Sequence, residues 1–239
     1  MQRGDDERKI SRDGEVHRDS RVNMTAKESK RLLRREMRFK RRAWRGAARA
    51  RAELKLCEFI MNHPSVRRAQ WIACYRAFDG EVDLSGLWGG GEPICPSAGK
   101  PTQGKYPSSS PLYPLRARLV FPRHTPHAPL HFVRPERWTK VEGSTLRLPE
   151  GESIPTDKIG VVLAPGVAFC PERGLRLGLG GGHYDRTLAQ NEELSWSVEA
   201  FGVGFSFQIC ADLPVEPWDV ALSGVFTELG IQRTSRGDI

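Results

Sequence analysis

The stretch Arg176-Leu177-Gly178-Leu179-Gly180-Gly181-Gly182-His183-Tyr184-Asp185 decides how this chain is read. Four glycines in five positions permit positive φ and let backbone N–H groups come close to an anion. Arg176 adds a permanent two-pronged cation, and Asp185 is a carboxylate of the kind that holds Mg²⁺ against phosphate oxygens. Upstream, Ile159-Gly160-Val161-Val162-Leu163-Ala164 reads as a short buried strand closed by Pro165. Downstream, His183 to Glu193 has helical character, with Tyr184 and Leu188 four apart. Strand, loop and helix in this order suit a phosphate cradle, because a helix N-terminus adds its positive dipole end. The alternative is a plain flexible glycine turn. Two familiar phosphate motifs do not match: His183 stands at the third glycine position of G-x-G-x-x-G, and the chain has no Gly-Lys-Ser/Thr here.

Working outward, Gln70 to Tyr75, Arg118-Leu119-Val120-Phe121, Leu130-His131-Phe132-Val133, Val203 to Phe207 and Val220 to Phe226 read as further strands. Strands alternating with helical patterns point to an α/β layered fold, and 239 residues suffice for one domain with a sizeable core. No apolar run of about 18 residues and no signal leader is visible, so the cytosol is the expected compartment. Five cysteines, odd in number and without a C-x-x-C pair, read as reduced thiols rather than a disulfide framework or a structural zinc site.

The net charge of +8 is unevenly spread. Residues 27 to 51 hold twelve basic and two acidic side chains, while the segments on either side are nearly balanced. This segment opens on Thr25-Ala26-Lys27-Glu28, a capping-box pattern, and carries Leu33, Met37, Trp44 and Ala48 at helical spacing. The pattern returns past Gly46 with Leu54, Leu56, Phe59 and Ile60 and stops before Pro64. Its basic face has three readings: a solvated surface, a strip for RNA or DNA, or an anion site in which Lys30 and Arg34, four apart, reach a triphosphate. The first 24 residues, polar and balanced in charge, read as a disordered extension, and the Gly-, Pro- and Ser-rich run 89–111 as a long loop within a single domain spanning 25–239.

The chain resembles the 5-formyltetrahydrofolate cyclo-ligases, also called 5,10-methenyltetrahydrofolate synthetases. The likeness rests on Leu163-Ala164-Pro165-Gly166-Val167-Ala168-Phe169 followed by Gly174-Leu175-Arg176-Leu177-Gly178-Leu179-Gly180-Gly181-Gly182-His183-Tyr184-Asp185. It extends to Lys30-Arg31-Leu32-Leu33-Arg34, to Ile72-Ala73-Cys74-Tyr75 through Phe78-Asp79-Gly80-Glu81-Val82-Asp83, and to Gly202-Val203-Gly204-Phe205 with Gln208, Pro214 and Asp219. It implies a layered sheet with flanking helices, like the NagB/RpiA/CoA-transferase-like fold, and a cytoplasmic monomer acting on small molecules.

The chemistry implied is ATP-driven cyclisation of a folate. By resemblance, Lys30, Arg34, Arg176, Leu177, Gly178, Leu179, Gly180, Gly181, Gly182, His183 and Tyr184 would hold ATP, with Arg176 and Tyr184 at the reacting centre. Asp185 and Asp219 would hold Mg²⁺, and Tyr75, Phe78, Glu81 and His183 would meet the folate. Structural alternatives stand beside these roles: Asp185 as a first-turn helix stabiliser, Tyr184 and Phe78 as core, Glu81 as a solvated turn residue, and His183 as an idle surface ring. Three departures from the family pattern are expected to matter. Cys170 stands where an aspartate is usual, in what reads as the loop beside the metal, Ser223 replaces another aspartate, and Leu148-Pro149-Glu150 reverses a Glu-Pro element. A non-catalytic relative binding RNA or another polyanion through the Arg-rich helix is the rival reading.

Overall fold

Glycines and short apolar runs set where this chain turns, and the computed structural model describes residues 25–90, 113–143, 147–191 and 194–235. The extension 1–24 and nearly all of the expected 89–111 loop lie outside the described residues. In chain order the helices are α1 Ala26–Ala43, α2 Ala47–Asn62, α3 Pro64–Arg68, α4 Tyr113–Arg116 and α5 His183–Leu188. The strands are β1 Trp71–Ala73, β2 Leu119–Arg123, β3 His131–Lys140, β4 Arg147–Ile154, β5 Ile159–Pro165, β6 Ala168–Cys170, β7 Leu175–Leu177, β8 Glu199–Val203, β9 Gly224–Thr227 and β10 Gly230–Arg233.

Eight strands form one sheet in the order β10-β9-β8-β5-β1-β2-β3-β4. The five central strands β9, β8, β5, β1 and β2 are parallel, and antiparallel strands extend both edges. Parallel strands covered on both faces should be apolar throughout. Accordingly, Ile72, Val161, Leu163, Phe201 and Phe226 pack with Leu56, Cys57 and Ile60 of α2 on one face. Ala73, Val162, Ala164, Ala200 and Val225 pack with Leu188 of α5, Trp196 and Leu222 on the other. Chain order runs outward in one direction from β1 to β2 and in the other from β5 to β8 and β9, so the sheet changes direction between β1 and β5. Open α/β sheets bind ligands beyond the carboxyl ends of the strands at such a switch point.

The basic segment forms two helices. Thr25 caps α1 with a reciprocal capping box, its hydroxyl accepting from the Glu28 N–H while the Glu28 carboxylate accepts from the Thr25 N–H. Gly46, at φ 80°, ends the run and α2 begins anew at Ala47. Other boundaries differ from the sequence reading. Of the strand expected over 203–207 only Val203 belongs to a strand, β8, and Ser206–Gln208 is a 3-10 turn. The helix expected from His183 to Glu193 stops at Leu188 and continues as a 3-10 turn over Ala189–Asn191. The strand expected over 130–133 runs on to Lys140 as β3 and pairs with β4, a strand absent from the sequence reading, through a bulge at Glu136 that absorbs the break in alternation around Pro135. No described helix is long and apolar enough to cross a membrane.

The β6–β7 hairpin, invisible in the sequence pattern, folds back at the carboxyl ends of β5 and β8. Its anchor is Phe169, fully buried, whose ring occupies the places where Cβ atoms on Gly166, Gly202 and Gly204 would stand, at 2.5, 2.6 and 2.5 Å. The glycines of Gly202-Val203-Gly204 are therefore a slot for an aromatic ring. A Gly202→Ala substitution overfills it and is expected to cost about 1–3 kcal/mol. Denaturant unfolding should show that cost largely relieved in the Gly202→Ala, Phe169→Leu double variant compared with the sum of the single ones.

Candidate functional site at the switch point

A cleft of about 500 Å³ opens at the carboxyl ends of β1, β2 and β5. Every residue named from the sequence as a site candidate lines it: Lys30, Arg34, Tyr75, Phe78, Glu81, the whole of Arg176 to Asp185, and Asp219. Sequence reasoning missed part of the wall. The β3–β4 arm adds Trp138, Arg147 and Leu148, β2 and its continuation add Phe121 and His124, and the loop before β9 adds Glu216 and Trp218. None of these carried a local pattern that marked it as a site residue, and Trp218 is 65% exposed.

One end of the cleft is cationic and glycine-rich. Gly180 at φ 110° and Gly182 at φ 63° hold backbone conformations that side chains resist, so the loop depends on their lack of Cβ. Its carbonyls are committed to the protein: Arg34 Nε donates to Gly178 O (2.9 Å), and Arg186 Nη2 to Gly181 O (2.6 Å). Arg176 Nη2 donates to both oxygens of Asp185 at 3.0 Å, Nη1 reaches Pro165 O at 3.2 Å, and the guanidinium lies 5.2 Å from the Tyr184 ring centre. Lys30, nearly buried, donates to Glu216 (2.6 Å) and Asp219 (3.2 Å). Asp185 thus does more than stabilise the first turn of α5: it orients the arginine opposite.

The other end is aromatic and carries a buried acid. Glu81 is not the solvated turn residue that Gly80 suggested, being 8% exposed and accepting the Phe78 N–H at 3.1 Å. Burial pushes its carboxyl up to about 7, against the opposing pull of Arg41 and Arg176. Tyr75, buried, donates its hydroxyl to Val82 O (3.0 Å), and burial raises both the Tyr75 and Tyr184 phenols. Phe78 is half exposed at the cleft, whereas Tyr184 packs partly against the core. His183, half-buried, sits 3.4 Å from Ala128 O and 3.3 Å from Arg186, and burial lowers its basicity.

The departures are quieter than expected. Cys170 lies in β6 within the cluster of Met37, Val167, Leu175, Leu177 and Leu213, and its thiol donates to Ala211 O at 3.3 Å. It is core rather than metal-side loop, and it does not line the cleft. Ser223 is likewise outside the cleft, its N–H donating to Ala200 O across the sheet. Much of the surplus arginine is used internally. Arg38, Arg41 and Arg42 all converge on the Asp79 carboxylate, and Arg49 donates to the carbonyls of Arg41, Gly80 and Glu81.

Fold and cleft define an α/β protein with a ligand site at a topological switch point. The profile of the 5-formyltetrahydrofolate cyclo-ligase family matches residues 117–228. The 5-formyltetrahydrofolate cyclo-ligase of Escherichia coli (strain K12) is 32% identical over 173 residues, covering 70% of this chain and 83% of the relative. That of Haemophilus influenzae is 31% identical over 179 residues, 72% and 82% of the two chains. Among solved structures, the 5,10-methenyltetrahydrofolate synthetase of Aquifex aeolicus superposes with a TM-score of 0.66 at 26% identity, over 88% of this chain and 95% of that one. The enzyme from Mycoplasma pneumoniae, at 22% identity and a TM-score of 0.61, shares the fold over 83% of this chain and 98% of that one. The chain belongs to the 5-formyltetrahydrofolate cyclo-ligase family.

Because the Glu81 carboxyl is raised in the folded state, the native protein holds a proton there that the unfolded chain releases between about pH 4.5 and 7. Native stability therefore falls as pH rises through that window, on the order of 2 kcal/mol from this group. Glu81→Gln removes the penalty. Its melting temperature relative to wild type is expected to rise between pH 5 and pH 8, and parallel curves would contradict the buried-acid account.

Proposed function

We propose that this chain catalyses the ATP-dependent closure of 5-formyltetrahydrofolate to 5,10-methenyltetrahydrofolate, with release of ADP and phosphate, as a cytoplasmic monomer. The observation that carries the reading is one cleft with two chemically distinct ends, a cationic glycine loop and an aromatic wall around a buried acid. The formyl oxygen attacks the terminal phosphorus of ATP and ADP departs. N10 then attacks the activated formyl carbon, loses its proton, and expels the oxygen as phosphate. Phosphorylation is needed because an amide-type oxygen leaves poorly, and the protein's share is positioning and charge neutralisation.

Lys30, Arg34 and the 178–182 amides hold the triphosphate, and Arg176 follows the transferring group as charge builds on it. Glu81 accepts from the pterin N–H groups, while Tyr75, Phe78, Tyr184 and His183 border the ring. Asp185 and Asp219 would hold Mg²⁺. Both carboxylates line the cleft, and an ion that takes one or two carboxylates and completes its shell with phosphate oxygens suits such a pair. Bound there, it would neutralise phosphate charge.

The test is ring closure followed by absorbance with purified protein, 5-formyltetrahydrofolate, ATP and Mg²⁺. Arg176→Ala is expected to lose on the order of 10²–10³ in kcat. Lys30→Ala and Arg34→Ala should raise KM for ATP more than KM for the folate. Absence of methenyl product from the wild-type protein would overturn the reading.

A further inference from the structure

Arg41 is a cation the reaction above does not use. It lies on α1 yet is fully buried, and its neighbours belong to both ends of the cleft. Nη1 donates to Gly166 O at 2.9 Å, in the turn that ends β5. Nη2 donates to Asp79 O at 3.0 Å and lies 3.5 Å from the Asp79 carboxylate. Gly166 and Pro165 are the turn from which Arg176, and through it Asp185, are held. Asp79 and Gly80 are the turn that delivers Glu81.

The contact is close at every level. A Cβ on Gly80 would stand 3.2 Å from the backbone carbon of Arg41, so loop and helix pack main chain to main chain. Asp79 itself sits at φ 54°, a conformation that Asp and Asn tolerate better than most residues. Arg38 donates to its carboxylate at 2.5 Å and Arg42 also binds it, closing the assembly from the solvent side. Gly166 O takes a second donor, Gln208 Nε2, at 2.9 Å, which fixes the far end of the strut.

We propose that Arg41, clasped by Asp79, is a positioning residue that sets the separation between the Glu81 loop and the Arg176 turn and so holds the folate and phosphate ends of the cleft in register. The proposal rests on the ring-closure reading for its kinetic consequence but on geometry for its existence. A packing role alone would cost stability, and a cation merely close to Glu81 would move its titration without slowing turnover. The strut predicts an electrostatic signature as well, because Glu81 faces Arg41 from α1, Asp79 from its own loop, Arg176 from β7, and the phenols of Tyr75 and Tyr184. Removing the Arg41 cation raises the Glu81 titration. Removing the Asp79 carboxylate, a like charge, lowers it.

The experiment is a ¹³C NMR titration of the Glu81 carboxyl in wild type, Arg41→Gln and Asp79→Asn, with kcat and KM for both substrates measured on the same samples. Asp79→Asn keeps the side-chain shape and tolerance for positive φ, so it remains informative if Arg41→Gln folds poorly. The expected result is movement of the titration in opposite directions in the two variants, with kcat down on the order of 10- to 100-fold and KM for ATP little changed. A titration unmoved in both, or moved the same way in both, or a kcat left at the wild-type value in both, would overturn the proposal. The titration needs no turnover, so a wild type that closes no ring would sink the functional reading and still leave the strut to be decided.

Discussion

The ring of Phe169 stands where three glycines lack their side chains, and that seating carries residues 166–182 back over the ends of the central strands. Without it the β6–β7 hairpin would have little to hold it, since each strand is three residues long. With it, Leu177 O can accept from Val167 N–H, Arg176 meets Pro165 and Asp185, and the glycine loop starts from a fixed point. The slot sits where β5 and β8 end, beside the place where the sheet reverses its winding. A packing constraint thus locates the chemistry.

The cations of the cleft come already paired. Lys30 rests on Glu216 and Asp219, and Arg176 on Asp185. Such pairs are seldom a net gain in stability, but they hold long side chains in one rotamer and neutralise like charges gathered at one end of the cleft. On the proposed reading, the carboxylates released when phosphate oxygens take over these cations are the ones available to share a divalent ion. Glu81, by contrast, has no cation in hydrogen-bonding contact among the described residues and is held by the Phe78 N–H, so its charge is sensitive to whatever stands beside it.

How far the sequence reached depended on the range of the interactions involved. The glycine loop, the buried β5 strand and the capping box are local patterns, and each lies where its residues suggested. So did the convergence of Lys30, Glu81, Arg176, Asp185 and Asp219, which came through family likeness, because spacing alone does not bring residue 30 to residue 219. What was illegible was non-local. The role of the excess arginines of α1 stayed open because their partners, Asp79 and the carbonyl of Gly166, lie 37 to 125 residues away. Cys170 looked like a lost ligand until its place in a core strand was known. Trp138 and Arg147 reach the cleft only because β3 and β4 pair through a bulge that alternation cannot foresee.

On the proposed reading, one cleft at the β1–β5 switch point takes both substrates, phosphates against the glycine loop and pterin beside Glu81. The most direct measurement is a crystal structure of the protein with a non-hydrolysable ATP analogue and 5-formyltetrahydrofolate. The expected density places the triphosphate against the amides of Gly178 to Gly182 with Lys30 and Arg34 on its oxygens, and the pterin between Phe78 and the β3–β4 arm. Phosphates found instead over Arg42, Arg45 and Arg49 at the α1–α2 junction, or a pterin outside the cleft, would contradict it.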